Sequence, residues 1–137
     1  MTDERIFQAR YLPEAETQLL ELAPQYREKI LEAISTFEKV GTCYKNINDL
    51  GNGLFEIKPK GVRAYFMYDY NLRRIIIIGF ICLKTTQKAP ERYMKQARKL
   101  IEAYLEQEAK ELANERRDFF PQNEGRYSKN GRIVLSI

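Results

Sequence analysis

The sequence predicts an α+β fold in which a helix hairpin and a C-terminal helix pack on a small antiparallel β-sheet. Three observations predict it. Prolines at 13 and 24 open two successive helical stretches, strand-like runs joined by short turns fill residues 54 to 84, and helical periodicity resumes at Pro90. At 137 residues, with 44% hydrophobic and 31% charged residues, the chain is long enough to bury one core and balanced enough to fold.

Residues 5 to 12, RIFQARYL, alternate loosely and read as a first strand. Pro13, with Glu14 and Glu16 behind it, suits a helix start, because proline loses no hydrogen bond there and acids favour the positive end. Pro24 begins a second helix whose apolar stripe is Ile30, Ile34 and Phe37, and Gly41 fits its end. The glycine-rich GNG at 51–53 leads into runs at 54–58, 62–70 and 73–84. Pro59-Lys60-Gly61 and Asn71-Leu72 join these runs tightly, so they read as an antiparallel meander. In the last helix Met94, Ala97, Ile101, Leu105 and Leu112 form the apolar stripe. The order is β, α, α, β, β, β, α, with the helices expected on one side of the sheet. Residues 118–137 read as an extension in which RIVLSI has strand character.

Several functions are excluded by composition. There is no histidine, which removes histidine-based triads and zinc sites and the usual neutral-pH proton carrier. No metal or other cofactor is expected. Cys43 and Cys82 stand far apart with no ligand pattern and read as packing thiols. The longest apolar run, Ile75 to Leu83, fits a buried strand and is too short for a bilayer. The opening MTDERIF lacks the layout of a secretory signal, so a cytoplasmic protein is expected, with no membrane partner.

The net charge of +4 is concentrated. Between Ile57 and Pro90 stand seven basic residues (Lys58, Lys60, Arg63, Arg73, Arg74, Lys84 and Lys88) against the single acid Asp69. The remainder of the chain is slightly acidic. A field of that kind suits a polyanion. Strand alternation puts Lys58, Arg63 and Tyr65 on one side and Phe55, Ile57 and Phe66 on the other. If the apolar set meets the helices, the cations and the tyrosine lie on an open face, where Lys84 can join them. Cleaving RNA without a metal requires a proton acceptor for the ribose 2′-hydroxyl, positive charge on the phosphorane and a proton for the leaving 5′-oxygen. Lys58, Arg63 and Lys84 are the expected catalytic set. Lys60, Tyr65, Arg73, Arg74 and Lys88 are the expected RNA contacts, Tyr65 by stacking on a base.

The stretches LFEIKPKGVRAYFMY at 54–68 and GFICLKTTQKAPERYMKQA at 79–97 resemble the RelE/ParE toxin superfamily, in its HigB-like, phage-derived branch. The second carries a Lys-x-Thr-Gln-Lys-x-Pro pattern on Lys84, Thr86, Gln87, Lys88 and Pro90. The resemblance spans roughly residues 5 to 112 and implies a RelE-like toxin domain over residues 1–117, with residues 118–137 left as an extension of no assigned role. It implies the toxin of a type II toxin–antitoxin system, a ribosome-dependent mRNA endonuclease restrained by a helix-turn-helix antitoxin. On that basis Arg63 corresponds to an arginine touching the scissile phosphate, with Lys58 and Lys84 as the flanking cations. Lysine at 58 and 84 replaces the more usual arginine, which keeps charge and loses the two-pronged geometry. Glu56 is a further candidate base, although pairing with a neighbouring cation explains it as well. The competing expectation is a non-catalytic module, either a ParE-like gyrase poison or a degenerate toxin that only binds its antitoxin.

Overall fold

The computed structural model describes residues 5–119, and the expected strand character of RIVLSI lies outside them. The elements are β1 (Gln8–Tyr11), α1 (Pro13–Glu21), α2 (Pro24–Val40), a 3₁₀ turn (Gly41–Cys43), β2 (Ile47–Gly51), β3 (Leu54–Ile57), β4 (Val62–Tyr68), β5 (Ile75–Leu83) and α3 (Glu91–Phe119). The chain divides into two compact units, Met1–Glu102 and Ala103–Ile137. In the second, the described part is the continuation of α3, where Gln107 donates to Glu111 one turn on (3.4 Å). No helix among the described residues is long and apolar enough to cross a membrane.

Both hairpin helices start as their sequence dictates, with proline in the first turn. Arg27 braces the reversal between them by donating to the carbonyls of Leu19, Leu20 and Leu22 at the end of α1 (3.4, 3.1 and 3.0 Å), that of Leu19 also accepting the Leu22 N–H. Gly41 ends α2 at φ +62°, where a side chain would meet the Phe7 ring.

The first unit holds a five-stranded sheet in the order β1-β5-β4-β3-β2. The expected antiparallel meander is present as β3-β4-β5, and two features differ from the expected sheet around it. β1 joins β5 in parallel, which makes the sheet mixed. A fifth strand, β2, pairs antiparallel with β3 across the Gly51-Asn52-Gly53 turn, all three residues having positive φ. The segment INDLG is poor in strand-favouring residues, and it becomes a strand because that turn folds it back on β3. At the opposite edge, Glu38 of α2 accepts the Ala9 N–H (2.7 Å) that the β1–β5 ladder leaves outside, which blunts that edge.

Register sets the two faces. Ile57, Ala64, Phe66, Ile76, Ile78 and Ile81 meet Ile30, Ile34 and Phe37 of α2 in the main core, with Phe37 against Phe66 at 5.2 Å between ring centres. The other face is covered as well. That overturns the expectation of helices on one side only. In the β4–β5 ladder Tyr65 pairs with Phe80 and Phe66 with Ile78, so Gly79 is an extra residue, a bulge. It turns Phe80 away from the main core and lets Ile81 return to it. α3 then crosses close above, with Tyr93 on Phe80 (5.0 Å) and Ile101 so near that a Cβ on Gly79 would lie 2.6 Å from its Cγ1.

Gly79→Ala should therefore cost about 1–3 kcal/mol in urea denaturation, as overpacking of a buried contact does. In the double variant with Ile101→Ala the combined loss should be smaller than the two single losses added together.

Candidate functional site

The face carrying Glu56, Arg63 and Tyr65 is the one under α3 and the 84–90 loop. Its centre is Arg63, in the β4 register position opposite Cys82 and with none of its surface exposed. Its Nε lies 2.8 Å from Glu56 Oε1, an ion contact too oblique for a hydrogen bond. Its Nη2 donates to the carbonyls of Thr86 (3.0 Å) and Gln87 (3.2 Å), and Nη1 to that of Lys88 (3.4 Å). One guanidinium thus holds three consecutive peptide carbonyls, a task suited to its planar fork of donors. Thr86 Oγ1 donates to Lys88 O (2.6 Å) and Lys84 Nζ to Gln87 Oε1 (3.3 Å), which tighten the same loop.

Glu56 connects this brace to the surface. Its second oxygen accepts from Asn48 Nδ2 (2.9 Å) and lies 3.8 Å from Lys58 Nζ. Asn48 stands directly opposite Glu56 on β2, which is why the unexpected strand matters here. Beyond this carboxylate opens a groove of about 450 Å³. Asn48, Asp49, Leu50, Glu56 and Lys58 line it from the sheet, Gln87, Lys88 and Ala89 from the loop, and Met94 from α3. Among the described residues, no group of three or more His, Cys, Asp or Glu is placed to hold a metal ion.

The expected site residues separate into three groups. Lys58, a quarter exposed, and the exposed Lys88 meet at the groove, while Lys84 sits behind the loop through Gln87. Lys60 is exposed, but its turn leans on α2, where a Cβ at Gly61 would come within 2.8 Å of the Tyr26 ring. Arg73 and Arg74 stand at the far end of β5 beside Arg5 and Gln8. Two expectations are corrected. Arg63 does not lie on an open face: it is spent inside the protein on Glu56 and the loop. Tyr65 is fully buried against Phe80, with no free ring face for a base, and burial drives its phenol far above its ordinary pKa. Asn48 was missed, because its role depends on a strand pairing that its own segment does not signal. Gly79, inside an isoleucine run, was the legible sign that another element crosses this face.

The arrangement is a small α+β protein with a braced groove at one end of its sheet, where two lysines and two carboxylates meet. Residues 17–102 match the protein family described as Phage derived protein Gp49-like (DUF891). The chain belongs to that family. Among solved structures it is similar to a chain of the toxin–antitoxin complex RelBE2 from Mycobacterium tuberculosis, with 16% identity and a TM-score of 0.49, over 57% of this chain and 98% of that one. No curated protein matches it.

Removing Arg63 would leave Glu56 Oε1 buried without its cation, with only Asn48 and the more distant Lys58 on the other oxygen, and would free three loop carbonyls. Arg63→Ala should cost about 3–5 kcal/mol in chemical denaturation, whereas Lys58→Ala, at a partly exposed ion pair, should cost under about 1 kcal/mol. Burial pushes the Cys82 thiol up to about 11, only partly offset by Arg63 and Tyr65, while Cys43 is exposed. At pH 8 iodoacetamide should label Cys43 and spare Cys82 until the protein is unfolded, as mass spectrometry of the peptides would read.

Proposed function

We propose that this protein is the toxin of a type II toxin–antitoxin pair and acts as a metal-independent endoribonuclease on mRNA under translation, in the cytoplasm. The observation that carries the reading is the meeting of Glu56, Lys58 and Lys88 at one groove. The resemblance of residues 54–68 and 79–97 to RelE/ParE toxins, and to their HigB-like branch in particular, supports it.

In this reaction the 2′-oxygen attacks the adjacent phosphorus and the bond to the 5′-oxygen breaks, leaving a 2′,3′-cyclic phosphate and a 5′-hydroxyl. Of the two groove carboxylates, Asp49 and Glu56, Glu56 stands beside Lys58 and is assigned the 2′ proton. The ammonium groups of Lys58 and Lys88 balance the charge that builds on the phosphorane, and one of them returns a proton to the leaving oxygen. Lys84 adds positive potential from behind the loop. Arg63 acts in this scheme as a positioning residue, which keeps the Thr86–Lys88 backbone and Glu56 in place. Its partners would be a cognate antitoxin of helix-turn-helix type, which restrains the activity, and the ribosome with its message.

One observation favours a second reading. The guanidinium that the resemblance assigns to the scissile phosphate is occupied internally. A non-catalytic module, either a gyrase poison or a degenerate antitoxin binder, would have no need of it at the surface.

Induced expression in bacteria separates the two. The nuclease reading expects growth arrest with rapid loss of translated mRNA. Lys58→Ala/Lys88→Ala should slow that loss by about 100-fold or more, in line with the loss of groups acting on charge and proton transfer, and chelators should not affect the cleavage. Arrest with damaged DNA and intact message would instead support gyrase docking. Absence of arrest would support the degenerate toxin.

A further inference from the structure

The basic block has a second pole that the groove does not use. At the start of β5 Arg73 and Arg74 border a hollow of about 390 Å³ together with Arg5 and Gln8. β5 is nine residues long, so its two ends, the first beside this hollow and the second leading into the groove's loop, lie about 26 Å apart at ~3.3 Å per residue.

Three observations single this turn out. Both arginines are exposed, and among the described residues neither has an ion-pair partner. Arg5 is shared with Glu38 (3.7 Å), so the uncompensated charge belongs to the other two. The turn is also built rigidly. Asp69 Oδ1 accepts the N–H groups of Asn71 (2.7 Å) and Leu72 (3.1 Å), Asp69 N–H donates to Ile75 O (2.9 Å), and the Arg74 carbonyl accepts from Gln8 (2.8 Å). The turn's own carboxylate, Asp69, thus spends an oxygen on the backbone rather than on the arginines. Finally, Arg74 adopts φ +64°, a conformation that glycine or asparagine reaches at lower cost. An arginine held there against that preference is positioned by the turn.

We propose that Arg73 and Arg74 form a second nucleic-acid contact, which grips the phosphate backbone of folded RNA while the groove takes the strand to be cut. The choice of RNA as the polyanion rests on the proposed function. Paired, planar guanidinium groups on a rigid turn suit successive phosphates. Their distance from the groove is too great for one nucleotide to touch both.

The test is the binding of the full chain to an RNA duplex of about 20 base pairs over a range of salt concentrations. Arg73→Ala/Arg74→Gly is the variant, since glycine suits φ +64° and a melting curve checks that the fold is kept. The affinity should fall about tenfold at low salt, and the slope of log K against log salt should become shallower by about 2, for two lost phosphate contacts. Unchanged affinity and slope in the arginine variant, or no duplex binding by the wild type, would overturn the proposal. So would loss of binding to poly-glutamate with RNA binding intact, which would make the turn a seat for an acidic protein. Because the readout is binding and not cleavage, a chain that binds duplex through this turn but destroys no mRNA would sink the nuclease reading and leave this inference standing.

Discussion

The structure of the basic end depends on one buried charge. Arg63 lies beneath α3 and the 84–90 loop, and a guanidinium in that position is tolerable only because Glu56 neutralises it and three peptide carbonyls take up its donors. The consequence runs in two directions. Inward, the pair ties β3 to β4 across the sheet. Outward, it fixes the Thr86–Lys88 backbone and hands Glu56's second oxygen to Asn48 and Lys58 at the groove. An apolar pair of similar volume would pack at least as well in many proteins. It would not hold a polar loop with three carbonyls facing inward.

The brace also changes how the surface cations work. A lysine on a loop that moves independently contributes a diffuse field, whereas Lys88 follows a residue whose carbonyl is pinned and bears a pinned carbonyl itself. Lys58 is steered from the sheet side by the same carboxylate. The two ends of β5 follow one logic by different means. At one end a side chain reaches up and holds a loop. At the other a carboxylate, Asp69, folds a turn around its own oxygen and sets two arginines outward.

Much of this could be read from residue order. The prolines at 13 and 24 mark the helix starts, the alternation through 54–68 sorts Ile57, Ala64 and Phe66 from Glu56, Arg63 and Tyr65, and the Pro59-Lys60-Gly61 turn joins β3 to β4. The sorting by face was correct at every one of these positions. What failed was the inference from "away from the hairpin" to "open". Arg63 and Tyr65 are on the expected side, and that side is roofed. Strand β2 was illegible for a different reason: its residues favour a loop, and only pairing with β3 makes them a strand.

By itself the sequence determined the α+β class, the helix starts, the side of the sheet that each strand residue occupies, and the clustering of positive charge in one stretch of chain. These follow from periods of two and 3.6 residues and from local turn chemistry, all of which act over a few positions. Only the tertiary structure decided which face α3 covers, that β1 runs parallel to β5, and that the clustered charges part, Lys58 and Lys88 to a braced groove, Arg63 to a buried strut, and Arg73 and Arg74 to a distant turn. The physical reason is range. A strand's alternation says nothing about the element that will cross it, and whether an arginine meets water or a carboxylate depends on segments brought together from dozens of residues away.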